Sequence, residues 1–343
     1  MKCNWKKLRG IALSAALVLS LGACTSTPAA ENTPSSTATP TPSASTEAFS
    51  FSAIDPDGVE YPQTLTGAPE RIITNNQSTT ELLLKLGLED KIVGTVAMDN
   101  PTLPELEEAY AALNIIADKQ NISKEQVVGL EPDLILGRAM DFQDQYFGTI
   151  PDLNAMGIAI YTQRAAQMQK DVTMDTLVED VRSIGQILSV QDQTDALADE
   201  LSGRLDALKT RLAGLSGDPI RVLLMVNYQE SGVFAGYGQN ATLQKDMLAR
   251  LNAVNVMEKG GNNLSAENLI TMAPDVIVYV ATSNNDANDQ SAVERLLADP
   301  LLQSVPAVSD KRVVTVPYTE LMGYGFRTFD CMDTLADYLY PQS

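Results

Sequence analysis

Met174 to Leu212 reads MDTLVEDVRSIGQILSVQDQTDALADELSGRLDALKTRL, and its two apolar ladders decide the fold. Met174, Leu177, Val181, Ile184 and Leu188 fall at alternating three- and four-residue steps. Leu197, Leu201, Leu205, Leu208 and Leu212 repeat the pattern. Such spacing lines each set along one stripe of a helix. The positions between them are mostly Asp, Glu, Gln, Lys and Arg. Two helices end to end follow, and Gly214 with Gly217-Asp218-Pro219 stops the second. That second helix, about Gln191 to Ala213, would span roughly 30 Å at about 1.5 Å per residue. A dimerising coiled coil sustains its pattern for longer, so both stripes are read as buried against the chain's own domains.

The flanking sequence gives this helical segment its meaning. Upstream stands Ser123-Lys124-Glu125-Gln126-Val127-Val128-Gly129-Leu130-Glu131-Pro132-Asp133-Leu134-Ile135-Leu136. Downstream stands Ser265-Ala266-Glu267-Asn268-Leu269-Ile270-Thr271-Met272-Ala273-Pro274-Asp275-Val276-Ile277-Val278. The two align without a gap: Ser-x-Glu, a short helix, Pro-Asp, then an apolar strand. The chain therefore reads as two similar α/β lobes with a long helix between them.

Composition narrows the function. A chain of 343 residues with 44% apolar content is globular and long enough for two domains. Its net charge of −20 is scattered, which describes a solvated acidic surface and argues against nucleic acid as a partner. There is no His, which removes Ser-His-Asp and Cys-His catalysis and the usual zinc ligand. With neither a nucleophile–base pair nor a metal cluster in the sequence, the chain is read as a non-enzyme. No cofactor and no metal site are expected.

At the start, Lys2, Lys6, Lys7 and Arg9 precede an apolar run from Ile11 to Leu21. That run is far short of the roughly 20 residues of a spanning helix and reads as a signal peptide. Leu21-Gly22-Ala23-Cys24 resembles the lipobox of bacterial lipoproteins, which implies a lipidated Cys24 as the mature N-terminus. The alternative is ordinary cleavage near Ala23. Cys3 is lost with the signal, and Cys331 reads as a buried apolar residue, so no disulfide framework is available. Thr25 to Ala48 is almost entirely Ser, Thr, Pro and Ala, a flexible tether.

In the first lobe, Phe49–Ile54 and Val59–Leu65 flank Asp55-Pro56-Asp57-Gly58 and read as a hairpin. Strands follow at 69–74, 91–96, 134–136 and 158–161, with helices at 79–87 and near 144–156. Strands alternating with helices imply a mostly parallel sheet, with ligands at the carboxyl ends of its strands. The second lobe repeats this from Ile220, with two Gly- and Tyr-bearing loops at 227–240 and 317–327 and a closing helix from Thr328 to Tyr340.

With these pieces in order, the chain resembles the helical-bridge class of ABC-transporter substrate-binding proteins, those serving ferric siderophores, haem and cobalamin. The likeness rests on Pro69-Glu70-Arg71-Ile72-Ile73, Thr80-Glu81-Leu82, Leu86-Gly87, Ile92-Val93-Gly94 and both Glu-to-Pro-Asp segments. It implies two Rossmann-like lobes, mostly parallel sheets, one rigid joining helix and a ligand cleft between the lobes. The chain then divides into a signal peptide (1–23), tether (24–48), N-terminal lobe (49–170), helical segment (171–215) and C-terminal lobe (216–343). The resemblance also implies delivery to a membrane permease driven by ATPase subunits, and docking of Glu125 and Glu267 onto permease Arg residues. Helix capping at those two sites is compatible with docking.

Candidate cleft residues on or beside the strand-end loops are Asn76, Met98, Arg138, Met140, Tyr228, Tyr237, Tyr318, Met322, Tyr324 and Arg327. Aromatic and Met surfaces suit a large planar or greasy ligand, and Arg suits an anionic one. The alternatives are loop packing for the apolar residues and a structural ion pair for Arg327. The expected cargo is an iron chelate of siderophore type. Cobalamin or haem is the alternative, although without His a haem lacks its commonest axial ligand. A sensor or adhesion lipoprotein is the reading outside transport. The expected protein is a monomer at the extracytoplasmic membrane surface, held there by its lipid only.

Overall fold

The computed structural model describes residues 48–118, 121–167, 170–282 and 286–341. The signal segment, Cys24 and nearly all of the tether lie outside the described residues. None of the described helices is long and apolar enough to cross a membrane.

The chain opens with an antiparallel hairpin, β1 (Phe49–Ile54) and β2 (Glu60–Leu65). The first lobe then runs β3 (Ile72–Thr74), α1 (Gln77–Lys85), β4 (Ile92–Val96), α2 (Glu107–Ala111), β5 (Ile115–Ala117), α3 (Lys124–Val128), β6 (Leu134–Gly137), α4 (Ile150–Ala155) and β7 (Ala159–Thr162). Its five strands pair in the order β5-β4-β3-β6-β7, all parallel. The hairpin covers the β7 side of this sheet: Ile54 N–H donates to Thr162 Oγ1 (2.7 Å), and Ile160 N–H donates to Gln63 Oε1 (2.9 Å).

Two helices follow, α5 (Met174–Leu188) and α6 (Gln191–Leu212). They are not laid end to end. Ser189 takes a left-handed conformation (φ 59°), and the chain turns back on itself. Arg182 then reaches across to Asp195 (2.7 Å) and Asp199 (2.6 Å). A Cβ at Gly185 would lie 1.7 Å from Thr194 Oγ1, so the helices approach this closely only because residue 185 is Gly. α6, of 22 residues, is the long joining helix, and α5 is doubled back against it as a helical hairpin. α5 starts at the second lobe, where Met174 N–H donates to Asp246 Oδ2, and runs to the first, where Asp180 meets Tyr161. α6 returns to the second lobe.

The second lobe comprises β8 (Ile220–Val226), β9 (Phe234–Tyr237), α7 (Thr242–Arg250), β10 (Ala253–Asn255), β11 (Gly261–Leu264), α8 (Ala266–Met272), β12 (Val276–Ala281), α9 (Asp286–Ala298), α10 (Pro306–Ser309), β13 (Val313–Pro317), α11 (Tyr318–Met322) and α12 (Arg327–Leu339). Its strand order is β11-β9-β8-β12-β13, with β10 also on β8. The stretches expected as the loops 227–240 and 317–327 contain β9 and α11. β9 folds back antiparallel on β8, which makes this sheet mixed.

Alternate residues of the central strands serve different cores. Ile72 faces a core shared by both lobes and the helical hairpin, while Ile73 faces one private to the first lobe. Val222 and Leu224 join the shared core; Leu223 and Met225 join one private to the second lobe. Strands buried on both faces read as continuous apolar runs. All the ladder residues of α5 and α6 are buried in the shared core except Leu212, which is half-buried against it.

The repeat seen in sequence extends to atoms. Ser123 and Ser265 each cap their helix in a capping box, with Gln126 and Asn268. Ala273 (φ 41°) caps α8 left-handed, whereas α3 ends in a right-handed turn at Gly129 and Glu131 (φ 46°) takes the left-handed conformation two residues later. Arg71 then donates to the carbonyls of Leu130 and Glu131, and Arg221 to those of Met272 and Ala273. Asp133 and Asp275 accept from the backbone N–H groups of those same arginines.

Candidate ligand-binding cleft

β6 ends at Gly137, and Arg138 is fixed immediately beyond it. The Asn75 side chain grips the Arg138 peptide with both of its polar atoms: Oδ1 accepts the N–H (2.8 Å) and Nδ2 donates to the carbonyl (3.0 Å). A Cβ at Gly137 would lie 1.5 Å from Asn75 Oδ1, so this clasp requires Gly there. Arg138 leads into a cavity of about 510 Å³ between the lobes, lined also by Met140, Tyr237, Tyr318, Met322 and Tyr324. Arg138 Nη1 donates to Tyr318 Oη at 3.4 Å, and its buried Nε has no hydrogen-bond partner. Burial works to lower the Arg138 pKa, but Tyr318 and the Asp141 and Asp99 charges outweigh it and raise it, so the guanidinium is charged. Burial pushes the Tyr324 phenol up to about 12 and the Tyr237 phenol higher still, so both are neutral. Tyr324 is held at φ 58°, and its carbonyl accepts from Gln163 Nε2 (2.7 Å). A bulky residue with positive φ carries strain that its surroundings must hold in place.

Four of the expected cleft residues lie elsewhere. Asn76 is 2% exposed and caps α1, its Oδ1 accepting from Thr79 N–H (3.0 Å) and its Nδ2 donating to Gln163. Met98 is half-buried and is not among the cavity's lining residues. Tyr228 is buried in the second lobe's private core, where its hydroxyl donates to Asp299 (2.9 Å); the chain turns at Asn227 (φ 55°) as it leaves β8. Arg327 is taken up by ion pairs to Glu81 (3.0 Å) and Glu320 (3.1 Å). That pairing belongs to a polar junction between the lobes, in which Thr319 also bonds Gln77 (2.7 Å) and Asn100 (2.8 Å).

Sequence reasoning missed Gly260, Gly261 and Asn262 in the lining. A Cβ at Gly238 would meet the Gly260 backbone at 2.3 Å, so two glycine-bearing turns close one wall together. The Gly260-Gly261 pair was the available signal. Glu125 and Glu267 are exposed in the first turns of α3 and α8. Among the described residues, no group of three or more Cys, Asp and Glu is placed to hold a metal ion.

Strand-end loops of two α/β lobes facing one aromatic cavity define a solute-binding architecture. The chain belongs to the periplasmic binding protein family, whose model matches residues 72–319. It is 24% identical to an ABC transporter substrate-binding lipoprotein of Bacillus subtilis over 87% of this chain and 88% of that one. It is 25% identical to a cobalamin-binding protein of Halobacterium salinarum over 89% of this chain and 76% of that one. The crystal structure of a periplasmic binding protein from Veillonella parvula superposes with a TM-score of 0.73, at 24% identity, over 86% of this chain and 92% of that one.

Proposed function

We propose that this chain is the extracytoplasmic substrate-binding lipoprotein of an ABC importer, and that its cargo is a large metal chelate with an anionic group. Arg138 carries the reading. Its guanidinium, with one N–H unpartnered, stands in a cavity walled by three tyrosines and two methionines. Apolar and aromatic walls suit a macrocycle, and the guanidinium suits a carboxylate or phosphate. Within that class a corrinoid is the first reading, because a relative aligned over most of both chains is named for cobalamin. A ferric siderophore is the second, favoured by the positive charge at the cavity wall.

Calorimetric titration with cyanocobalamin, a ferric hydroxamate siderophore and haemin tests this. Cyanocobalamin is expected to bind at one site, and Arg138→Ala to weaken it by about 1.5–3 kcal/mol, the range for a charged hydrogen bond. Binding of the siderophore alone replaces the first reading with the second. Binding of none of the three rejects the chelate.

Delivery would run to the permease and ATPase subunits through Glu125 and Glu267, with the monomeric binding protein tethered by a lipid on Cys24. Cys24→Ala should abolish fatty-acid labelling and membrane retention; unchanged labelling would remove the anchor from the reading. A sensor or adhesion lipoprotein would keep the ligand and show no dependence on the two glutamates.

A further inference from the structure

A second cavity, of about 480 Å³, abuts the first. The two share Met140, Ala166 and Asn240, and the tip of the β1–β2 hairpin, Asp55 to Gly58, forms the far wall. Met140 on the shared wall leaves 48% of its surface exposed, so an apolar surface stands open between the two cavities. Gln167, 6% exposed, lines the second cavity and also a neighbouring pocket beside β1 and α5, and its Nε2 has no hydrogen-bond partner among the described residues. Buried amide donors are nearly always paired, so an acceptor on a bound molecule would complete this one. The tip is pre-shaped: Asp55 Oδ1 accepts from the N–H groups of Asp57 and Val59, and Oδ2 from the Tyr61 hydroxyl. Lys170 at the rim is already paired with Glu60 (2.9 Å), so among the described residues the compartment has no uncommitted cation to attract an anion.

We propose that the cleft has two compartments serving one ligand. The Arg138 compartment holds the body of the chelate, Met140 packs under the saddle, and the hairpin compartment takes a polar, hydroxyl- or amide-bearing arm. This rests on the chelate reading above. A corrinoid pair bears on both compartments, because cobinamide has the same ring as cobalamin and lacks its nucleotide loop, whose phosphodiester would meet Arg138 and whose ribose and base would extend into the hairpin compartment. The wild-type protein should bind cyanocobalamin at least about tenfold tighter than dicyanocobinamide, a loss of roughly one arm's contacts. Asp57→Trp should fill the compartment from its rim, weaken cyanocobalamin by about fivefold or more and leave cobinamide binding within about twofold. The turn bond at this residue uses the backbone N–H, so the hairpin is retained. Gln167→Leu should weaken cyanocobalamin and spare cobinamide. Equal affinity for the two probes in the wild type, or equal loss of both in Asp57→Trp, overturns the second compartment and leaves the corrinoid reading standing. Failure of the wild type to bind either probe rejects the corrinoid reading, and the arm assignment with it.

Discussion

Asp180 is the clearest single-residue lever on stability. It is 3% exposed, and it accepts from Tyr161 Oη (2.6 Å) and the N–H groups of Arg164 (3.0 Å) and Ala165 (2.8 Å). These bonds tie α5 to the chain leaving β7. Burial nevertheless dominates and raises the carboxyl from 3.8 to about 6; the hydrogen bonds only moderate the rise. Between these values the folded protein holds a proton that the unfolded chain has lost. Stability contributed by this group is therefore full below pH 3.8 and falls as pH rises to about 6, by roughly 1.4 kcal/mol per unit and about 3 in all. Urea melts of wild type and Asp180→Asn at pH 4 and pH 7 measure it. The wild type's advantage over the variant should drop by that amount; a difference independent of pH would mean a carboxylate ionised throughout.

At the scale of elements, α3 and α8 are the same device built twice. Each has a serine cap, a left-handed residue just before its Pro-Asp, an arginine donating to the two carbonyls ahead of that Pro, and an Asp leading into a central strand. The caps use Gln126 and Asn268, which leaves Glu125 and Glu267 exposed and unnecessary to the capping boxes. Both carboxylates lie below their usual pKa, Glu125 through its own backbone N–H and then Ser123, Glu267 through Ser265 and then its own N–H. Both are charged at neutral pH. If they dock a permease, the Glu125→Lys/Glu267→Lys double variant should lose uptake by about tenfold or more while ligand affinity stays within a few fold, since like charge would face the partner's cations. Salt should weaken docking of the wild type. Uptake in dependent cells, paired with ligand binding by the purified variant, measures both. Undiminished uptake would leave the two glutamates as first-turn acids and no more.

For the whole molecule, the decisive feature is the junction of Gln77, Glu81 and Asn100 with Thr319, Glu320 and Arg327. It joins the lobes beside the cleft, and Arg327 and Glu81 within it are 9% and 0% exposed. Together with two helices crossing between the lobes, it makes wide hinge opening costly. Removing one partner of a buried pair costs about 3–5 kcal/mol, mostly by stranding the other charge. Arg327→Met should destabilise by about that much in denaturant unfolding, and Glu81→Gln added to it should recover part of the loss. If the single variant is neutral, the junction is not what holds the lobes.

The sequence by itself determined whatever repeats locally. The three- and four-residue apolar steps found α5 and α6, and the duplicated Ser-x-Glu to Pro-Asp segments announced two equivalent lobes. The strand-end loops located Arg138, Met140, Tyr237, Tyr318, Met322 and Tyr324, which the fold brings to one cavity. Tertiary structure decided the rest, because it depends on partners far apart in the chain. Arg138 and Arg327 both follow predicted elements as loop arginines. One meets Tyr318 across the cleft, and the other is neutralised by Glu81, a residue 246 positions away that reads as an ordinary helix acid. Tyr228 and Tyr237 share one Gly-bearing stretch, but the left-handed turn at Asn227 and the antiparallel return of β9 send the first to a core and the second to the cleft. The turn between α5 and α6 was hidden for the same reason: two amphipathic stripes look alike whether the helices continue or fold back. The choice rested on the contact of Gly185 with Thr194 and the ion pairs of Arg182, which no periodicity records.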